Sequence, residues 1–246
     1  MTSAAQGGQG DGGFLGQIEC PFMGIQVETK DCTALGDVEL GEMADICADG
    51  PAGYEVGLLS KQCEEWVLIS QARDGNKLAG FSFCTLERIG GTPALIVGLA
   101  SVRRTSRRDT ALRSLMTDQY RRALLAFPDE DVLVGTRMAG ADAFGAFKGL
   151  QDIVPRPGHK ASGEERAWSR RLAKRFGAEG RIDDRTFILK GDGNPCGLLD
   201  HESLKPESID PEVAAYFKGV NAKRRDCLIA FGWAMAEDLA SGSVGK

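Results

Sequence analysis

The first half of the chain carries two kinds of hydrophobic spacing, which predict one helix followed by three strands. Between residues 37 and 48 apolar residues recur at helical spacing, as in an amphipathic helix. From residue 65 the apolar positions alternate or run together, as they do in strands. The predicted strands cover residues 66–72, 78–88 and 94–102, and residues 25–29 alternate like an edge strand. The Asp74-Gly75 dipeptide predicts a hairpin turn between residues 72 and 78.

A polar turn and a second helix follow the strand at residues 94–102. That strand is apolar on both faces, as a central strand is. Residues 103–110 are polar, and residues 111–125 carry apolar side chains at helical spacing. A fourth strand is predicted at residues 132–136. A strand–helix–strand unit of this kind makes its two strands parallel through a right-handed crossover.

The rest of the chain is predicted to add mostly helices. They cover residues 141–150, 164–176, 211–220 and 223–239, with a strand at 185–190 and a loop at 191–206. The expected fold class is mixed α/β: a central mixed, mostly antiparallel sheet flanked by helices, with additional C-terminal helices. Phe231 and Trp233 in the last predicted helix are candidates for a homodimer or partner surface.

Composition and charge narrow the functional classes. The 246 residues are 42% hydrophobic, enough for a core, and the net charge of −5 disfavours nucleic acid or an anionic membrane as a partner. No apolar run approaches the roughly 20 residues that a membrane helix needs. Residues 1–16 are rich in glycine and polar residues and are expected to form a flexible tail rather than a signal peptide.

The cysteines and histidines exclude further classes of site. Seven cysteines without Cys-x-x-Cys spacing argue against a disulfide framework or a structural zinc site. Reduced thiols in a cytoplasmic protein are the expectation. With two histidines in the chain, no metal site and no histidine-based triad are expected.

Four arginines lie in the polar turn that begins the second helix. They are Arg103, Arg104, Arg107 and Arg108, and Asp109 follows them at the helix start. A helix N-terminus offers unpaired backbone N–H groups and the positive end of the helix dipole, and arginines add bidentate donors. The turn therefore predicts contact with a phosphorylated cofactor or substrate.

Residues 102–116 resemble the GNAT superfamily of acyl-CoA-dependent N-acyltransferases. In that family a central strand leads into a pyrophosphate loop of the form Arg/Gln-x-x-Gly-x-Gly/Ala, and a helix with leucines follows. Here Arg107 takes the leading position, while Thr110 and Leu112 stand where the family has glycines. Residues 132–136 and 141–150 resemble the family's next strand and the helix beside the cofactor. The resemblance covers about residues 37–155 and leaves the segments before and after unexplained. The expected domain organisation is a GNAT-like domain over residues 17–190 and a helical extension over residues 191–246 packed on it.

The resemblance implies a cofactor, a reaction and a set of site residues. The cofactor is acetyl-CoA or another acyl-CoA, and the acceptor is the amine of a small molecule or a peptide. In the family the pantetheine pairs with a splayed central strand, so backbone N–H groups near Ala100 and Val102 are expected to polarise the thioester carbonyl. The implied cofactor-binding residues are Leu99, Ala100, Val102, Arg103, Arg107, Arg108, Asp109, Thr110, Ala111, Phe144 and Phe147.

Two functions stay open at this point. Ser101 is the catalytic candidate because it adjoins the expected site, and no strong general base is found. Phe144 and Phe147 occupy the region where the family often has a tyrosine acid. The first hypothesis is an active N-acyltransferase. The alternative is a catalytically silent GNAT-fold protein that binds a ligand or partner.

Overall fold

One ten-stranded sheet organises the computed structural model, which describes residues 24–50 and 53–245. Its strands are β1 (Ile25–Asp31), β2 (Leu68–Asp74), β3 (Lys77–Ile89), β4 (Thr92–Val102), β5 (Val132–Met138), β6 (Gln151–Val154), β7 (Ile182–Asp183), β8 (Ile188–Leu189), β9 (Leu199–Asp200) and β10 (Cys227–Ala234). Its helices are α1 (Asp37–Ala48), α2 (Val56–Glu65), α3 (Arg108–Ala126), α4 (Gly163–Arg175), α5 (Pro211–Ala215) and α6 (Ala236–Ser241). The tail predicted at residues 1–16 lies outside the described residues.

The N-terminal part of the sheet is an antiparallel meander of β1, β2, β3 and β4, as predicted. β1 lies at its edge. The turn between β2 and β3 contains Gly75 with φ at 59°, a conformation that glycine adopts without the steric cost of a Cβ atom. The expected edge strand and hairpin are therefore confirmed.

β4 contains one more residue than the stretch of β3 that it faces. Ser82 faces Ala100 and Cys84 faces Val97, so two steps along β3 match three along β4. Such a bulge bends the strand and increases its local twist. Gly98 lies in the bulge against the indole of Trp66, and a Cβ on Gly98 would lie 2.3 Å from the nearest indole carbon. The bend thus falls where the packing of Trp66 requires glycine.

The crossover from β4 through α3 to β5 is also confirmed. Residues 94–96 of β4 run parallel to residues 133–135 of β5. α3 buries most of its apolar side chains against the sheet, while Leu125 near its end is exposed. The Tyr120 hydroxyl donates to the Ala146 carbonyl at 2.8 Å, which joins α3 to the 3-10 segment Ala141–Phe147. That segment occupies the position of the short helix predicted at residues 141–150.

Helices cover both faces of the sheet, because successive residues of the central strands point to opposite sides. Along β4, Ala94 and Ile96 pack in a core with α1, α2 and α4, whereas Leu95 and Val97 pack in a second core with α3 and α6. Among the described residues, no helix is both long and apolar enough to cross a membrane.

The helix predicted at residues 223–239 is wrong over residues 227–234, and only residues 236–239 of it are α-helical, in α6. Residues 227–234 form β10, of which residues 228–234 pair antiparallel with β5. An eight-residue apolar run is compatible with either a buried strand or a helix. Here its hydrogen-bonded pairing with β5 selects the strand. Phe231 is buried in this strand, so it does not lie on a partner surface, while Trp233 packs against Trp168. The domain division at residue 190 and the homodimer stay predictions.

A long insertion separates two paired strands near the C-terminal end. β6 pairs with β10, although residues 155–226 lie between them. The insertion contains α4, two short strands at the sheet edge, α5 and the segment that includes β9. The predicted helix at residues 164–176 matches α4. The loop predicted at residues 191–206 instead sends β9 back into the centre of the sheet.

Candidate functional site

β4 and β5 separate beyond Ile96 and Gly135, the last residues that they pair. The bulge in β4 turns this strand away from its neighbour. At the point of separation the Thr136 hydroxyl donates to the Val97 carbonyl at 3.0 Å. We refer to the space between residues 97–102 of β4 and residues 136–138 of β5 as the sheet gap.

The chain fills the sheet gap with a segment of its own, residues 198–202, which we call the cleft segment. Within it, Leu199 pairs with Ala100 on one side and with Met138 on the other. The Ala100 N–H donates to the Leu198 carbonyl at 3.0 Å. Leu198 and Leu199 are only 7% and 1% exposed. The backbone donor that the resemblance assigns to a thioester carbonyl is therefore bonded to the protein itself.

Two of the four turn arginines bond to strands β2 and β3. Arg103 Nε donates to the Leu78 carbonyl at 3.2 Å. Arg107 forms an ion pair with Asp74 at 2.6 Å, next to the β2–β3 hairpin. These contacts hold the turn against the sheet.

The other two arginines bond to the cleft segment. Arg104 pairs with Glu202 at 2.9 Å and lies 3.4 Å from Asp200. Arg108 donates to the carbonyls of Glu202 and Ser203, the latter at 3.2 Å. In the described conformation these guanidinium groups thus meet carboxylates and carbonyls of the chain where a phosphate is predicted.

The N-terminus of α3 is covered by the residues that follow β9. Asp109 accepts a hydrogen bond from the Leu204 N–H at 3.3 Å and lies 3.0 Å from His201 Nε2. The His201 side chain is 3% exposed. Asp109 therefore orients the inserted segment, in addition to the favourable charge that it places at the helix start.

The cleft segment carries two ionisable groups whose burial opposes their charge. Burial raises the pKa of Asp200, although Arg104 and a hydrogen bond from the Ser101 hydroxyl counteract it. Burial lowers the pKa of His201, and Asp109 opposes that shift. The catalytic candidate Ser101 is itself buried and lies 3.4 Å from Asp200. Burial therefore disfavours the charged form of both groups relative to water.

A cavity of about 310 Å³ lies beside the cleft segment, between α3 and the 3-10 segment at residues 141–147. Phe144 and Met116 line it together with His201. The Nδ1 atom of His201 is buried without a hydrogen-bond partner among the described residues. Phe147 is fully buried behind Phe144, with 6.3 Å between the ring centroids. Of the two predicted phenylalanines, only Phe144 therefore faces open space.

The remaining residues that were predicted to bind the cofactor lie either in β4 beside the sheet gap or in α3. Leu99 and Val102 are buried in β4, on either side of the Ala100–Ser101 pair that contacts β9. Ala111 is buried in α3, whereas Thr110 is exposed. The structure thus brings the β4 residues together with Arg104 and Arg108, and it leaves Thr110 on the surface.

No protein-family model matches the sequence, and a comparison with curated proteins finds no match. Several solved structures are similar. An aminoglycoside 6'-acetyltransferase type Ii is 13% identical over 54% of this chain and 88% of its own, with a TM-score of 0.39. Escherichia coli ElaA is 12% identical over 55% of this chain and 94% of its own, with a TM-score of 0.35. A ribosomal-protein-alanine N-acetyltransferase from Brucella melitensis is 15% identical over 45% and 78%, also with a TM-score of 0.35.

The fold is GNAT-like. This description rests on the antiparallel meander, the bulged β4, the crossover through α3 and the gap between two parallel strands. At TM-scores below 0.5 the similar structures transfer neither a substrate nor a chemical role to this chain.

A second cavity of the GNAT-like fold contains functional groups that sequence reasoning missed. It has a volume of about 170 Å³, and Gln62, Glu65, Arg137 and Cys196 are among the residues that line it. Gln62 is held at the end of α2, since it accepts a hydrogen bond from Trp66 Nε1 at 3.2 Å and donates to Glu65 at 3.1 Å. The lining residues come from α2, β5 and the insertion. No local motif links them, so the sequence carried no signal for this cavity.

The donor set of the sheet gap suits an acyl-CoA, although the chain's own segment occupies it. The gap supplies the Ala100 N–H, and the adjoining turn supplies the guanidinium groups of Arg104 and Arg108. The cleft segment and the next residue meet these donors in order: the Leu198 carbonyl at Ala100, then carboxylates at Arg104 and carbonyls at Arg108. An extended ligand that carries a carbonyl first and negative charge further along would meet the same donors in the same order.

Proposed function

We propose that this chain is an acyl-CoA-dependent N-acyltransferase whose cofactor cleft is closed, in the described conformation, by residues 198–202. It would transfer an acetyl or longer acyl group from coenzyme A to an amine by direct attack. The observation that carries the proposal is the pairing of the Leu198 carbonyl with the Ala100 N–H, followed along the segment by the pairing of Glu202 with Arg104.

The order of groups along the cleft segment supports this assignment. From Leu198 onward the segment runs parallel to β4 towards the arginine turn. An acyl-CoA has the same order, since its thioester and pantetheine amides precede a pyrophosphate. Ala100, Arg104 and Arg108 would hold those groups once the segment leaves. Binding then requires that the segment be displaced, so the cofactor and residues 198–202 compete for one set of donors.

The bound cofactor would supply an activated thioester, and the chain would supply its orientation. A preorganised N–H at Ala100 stabilises negative charge on a carbonyl oxygen more effectively than water does. The acceptor is an amine of a small molecule or a peptide. Two of the similar structures are named for aminoglycosides and for ribosomal-protein alanine. These names assign no acceptor to this chain, and the two classes serve only as amine probes in the test.

A catalytically silent GNAT-fold binding protein is the second candidate, and the arginine turn favours it. All four turn arginines bond to the chain itself in the described conformation. Thr110 and Leu112 replace the glycines that the resemblance expects, and Phe144 carries no acidic proton. In this candidate the insertion is a permanent part of the sheet.

Acetyl transfer by an opened variant distinguishes the two candidates. The Leu199→Ala chain is mixed with isotopically labelled acetyl-CoA and an acceptor, either an aminoglycoside or an alanine-terminated peptide, and the product is followed by mass spectrometry. Labelled product supports the acyltransferase. Calorimetric binding of acetyl-CoA without product from any amine supports the silent protein. Absence of both binding and product overturns the cofactor assignment.

The role of the turn is tested in the same opened background. In the opened variant the cleft segment no longer occupies the Arg108 guanidinium, which is then available to the cofactor. Arg108→Gln removes this guanidinium and is therefore expected to weaken acetyl-CoA binding. Arg121→Gln is the matched control, since Arg121 lies on α3 but its described partner is Asp118. Equal effects of the two substitutions would contradict a cofactor role for Arg108.

A further inference from the structure

Two cysteines meet where the insertion joins the sheet. Cys196 lies just before the cleft segment, and Cys227 is the first residue of β10. Both line the cavity of about 170 Å³. The two thiols lie close enough for each to shift the pKa of the other. Cys196 is half-buried and Cys227 is buried, so the cavity gives access to Cys196 first.

The backbone on both sides of this thiol pair is tied together. The buried Asp226 carboxylate accepts hydrogen bonds from the Gly191 N–H at 2.9 Å and from the Asn221 N–H at 3.2 Å. The Gly193 N–H donates to the Arg224 carbonyl at 3.1 Å. The loop that carries Cys196 is therefore fixed against the residues that precede Cys227.

A buried cation lies in the same cavity. Arg137 is 6% exposed, and its Nε atom has no hydrogen-bond partner among the described residues. Its guanidinium carbon lies 4.4 Å from the centre of the Phe176 ring. A Cβ on Gly197, the residue after Cys196, would lie 3.1 Å from Arg137 Nη2. The guanidinium group is thus packed beside the Cys196 loop, and its Nε–H donor is not used by the described residues.

These groups distinguish Cys196 from the other described cysteines. Interaction with the Cys227 thiol lowers the pKa of Cys196, and the charges of Arg137 and Arg225 act in the same direction. Cys227 shifts the opposite way and keeps its proton. By contrast, burial raises the pKa of Cys32, Cys47 and Cys84 to about 12. A thiolate beside cations is the reactive form of cysteine, whereas a buried thiol is inert.

We propose that Cys196 reacts with hydroperoxides and that Cys227 then converts the product into an intramolecular disulfide. The Cys196 thiolate attacks one peroxide oxygen, the O–O bond breaks, and the departing oxygen takes a proton to leave as an alcohol or water. Cys196 is then a sulfenic acid. Oxidation removes the Cys196 charge that opposed ionisation of Cys227. As the Cys227 sulfur attacks the sulfenic sulfur, its proton passes to the departing oxygen, the S–S bond forms, the S–O bond breaks, and water leaves. Overall two thiols are oxidised while one hydroperoxide is reduced.

The disulfide would also act on the cleft segment, a consequence that rests on the proposed function. Cys196 is two residues before Leu198, which occupies the sheet gap. A covalent bond to β10 would hold that end of the segment in place. The oxidised protein is then expected to bind acetyl-CoA more weakly than the reduced protein does.

The disulfide is tested without any acyl-CoA, so its failure is separable from failure of the proposed function. The reduced full chain carrying Cys20→Ser is treated with hydrogen peroxide at neutral pH and mapped by peptide mass spectrometry. The expected product links the Cys196 and Cys227 peptides, is two hydrogens lighter than the dithiol, and disappears on treatment with dithiothreitol. In Cys227→Ser, dimedone is expected to trap a sulfenic acid on Cys196.

Cys63→Ser is the matched control, because Cys63 is also half-buried but burial raises the pKa of its thiol. Disulfide formation is expected to continue in this variant. Alkylation of Cys196 is expected to show a pH midpoint within the range of about 3.5–7.5 seen for activated cysteines, and Arg137→Met should move it upward. A midpoint near the ordinary value of about 8.5, or equal dimedone labelling of Cys63 and Cys196, would overturn the proposal.

Discussion

Truncation of Leu199 is expected to open the sheet gap and to tighten the binding of acetyl-CoA. Leu199 is 1% exposed and packs in the core formed with α3. Removing a buried leucine side chain costs about 2–5 kcal/mol in this kind of environment. In the open form the Leu199 side chain has already left the core, so its truncation costs little there. The substitution therefore destabilises the closed form relative to the open form. If the closed form is destabilised by about 3 kcal/mol, the ratio of open to closed protein rises on the order of 100-fold.

The apparent affinity of a ligand scales with the fraction of protein that is competent to bind it. The dissociation constant of acetyl-CoA is therefore expected to fall by on the order of 10- to 100-fold in Leu199→Ala, until the open form predominates. Isothermal calorimetry at matched ionic strength measures this change. Leu204→Ala is the control, because Leu204 lies in the same inserted stretch but is 40% exposed.

One result would refute this reasoning. If Leu199→Ala lowers the melting temperature while the dissociation constant stays equal to that of the wild type and of Leu204→Ala, the segment does not compete with the cofactor. Residues 198–202 would then be a constitutive strand of the sheet, and the silent candidate would be favoured.

Three further outcomes test the fold around the gap. Gly98→Ala is expected to lower the free energy of unfolding by about 1–3 kcal/mol in urea titrations, because its methyl group would overlap the Trp66 ring. Thr136→Val is expected to cost about 1–3 kcal/mol in the same assay, since it leaves the buried Val97 carbonyl without this donor. Burial lowers the pKa of His201 from its ordinary value of 6.5, so the unfolded chain binds more protons as the pH falls below that value and stability decreases. His201→Asn should reduce the loss of unfolding free energy between about pH 7 and pH 5, and an unchanged loss would contradict this assignment.

The elements that sequence patterns predicted correctly are those that local periodicity defines. The alternation in residues 66–88, the apolar run at 94–102 and the stripe on α3 each produced the expected element. The sequence patterns did not predict α2, because this helix buries only Leu59 and Gln62 and therefore carries a weak apolar stripe. β10 was predicted as a helix because a short apolar run has no period that separates the two structures.

By itself, the sequence determined that a buried central strand leads into an arginine-rich turn and a sheet-packing helix. It thereby indicated where a ligand site would lie and which donors would face it. Only the tertiary structure decided that the chain's own segment occupies those donors, since Ser101 and Asp200 are 99 residues apart in the chain. The physical reason is that periodicity reports which side of an element is buried, whereas a backbone N–H such as that of Ala100 bonds to whichever carbonyl the complete fold brings to it.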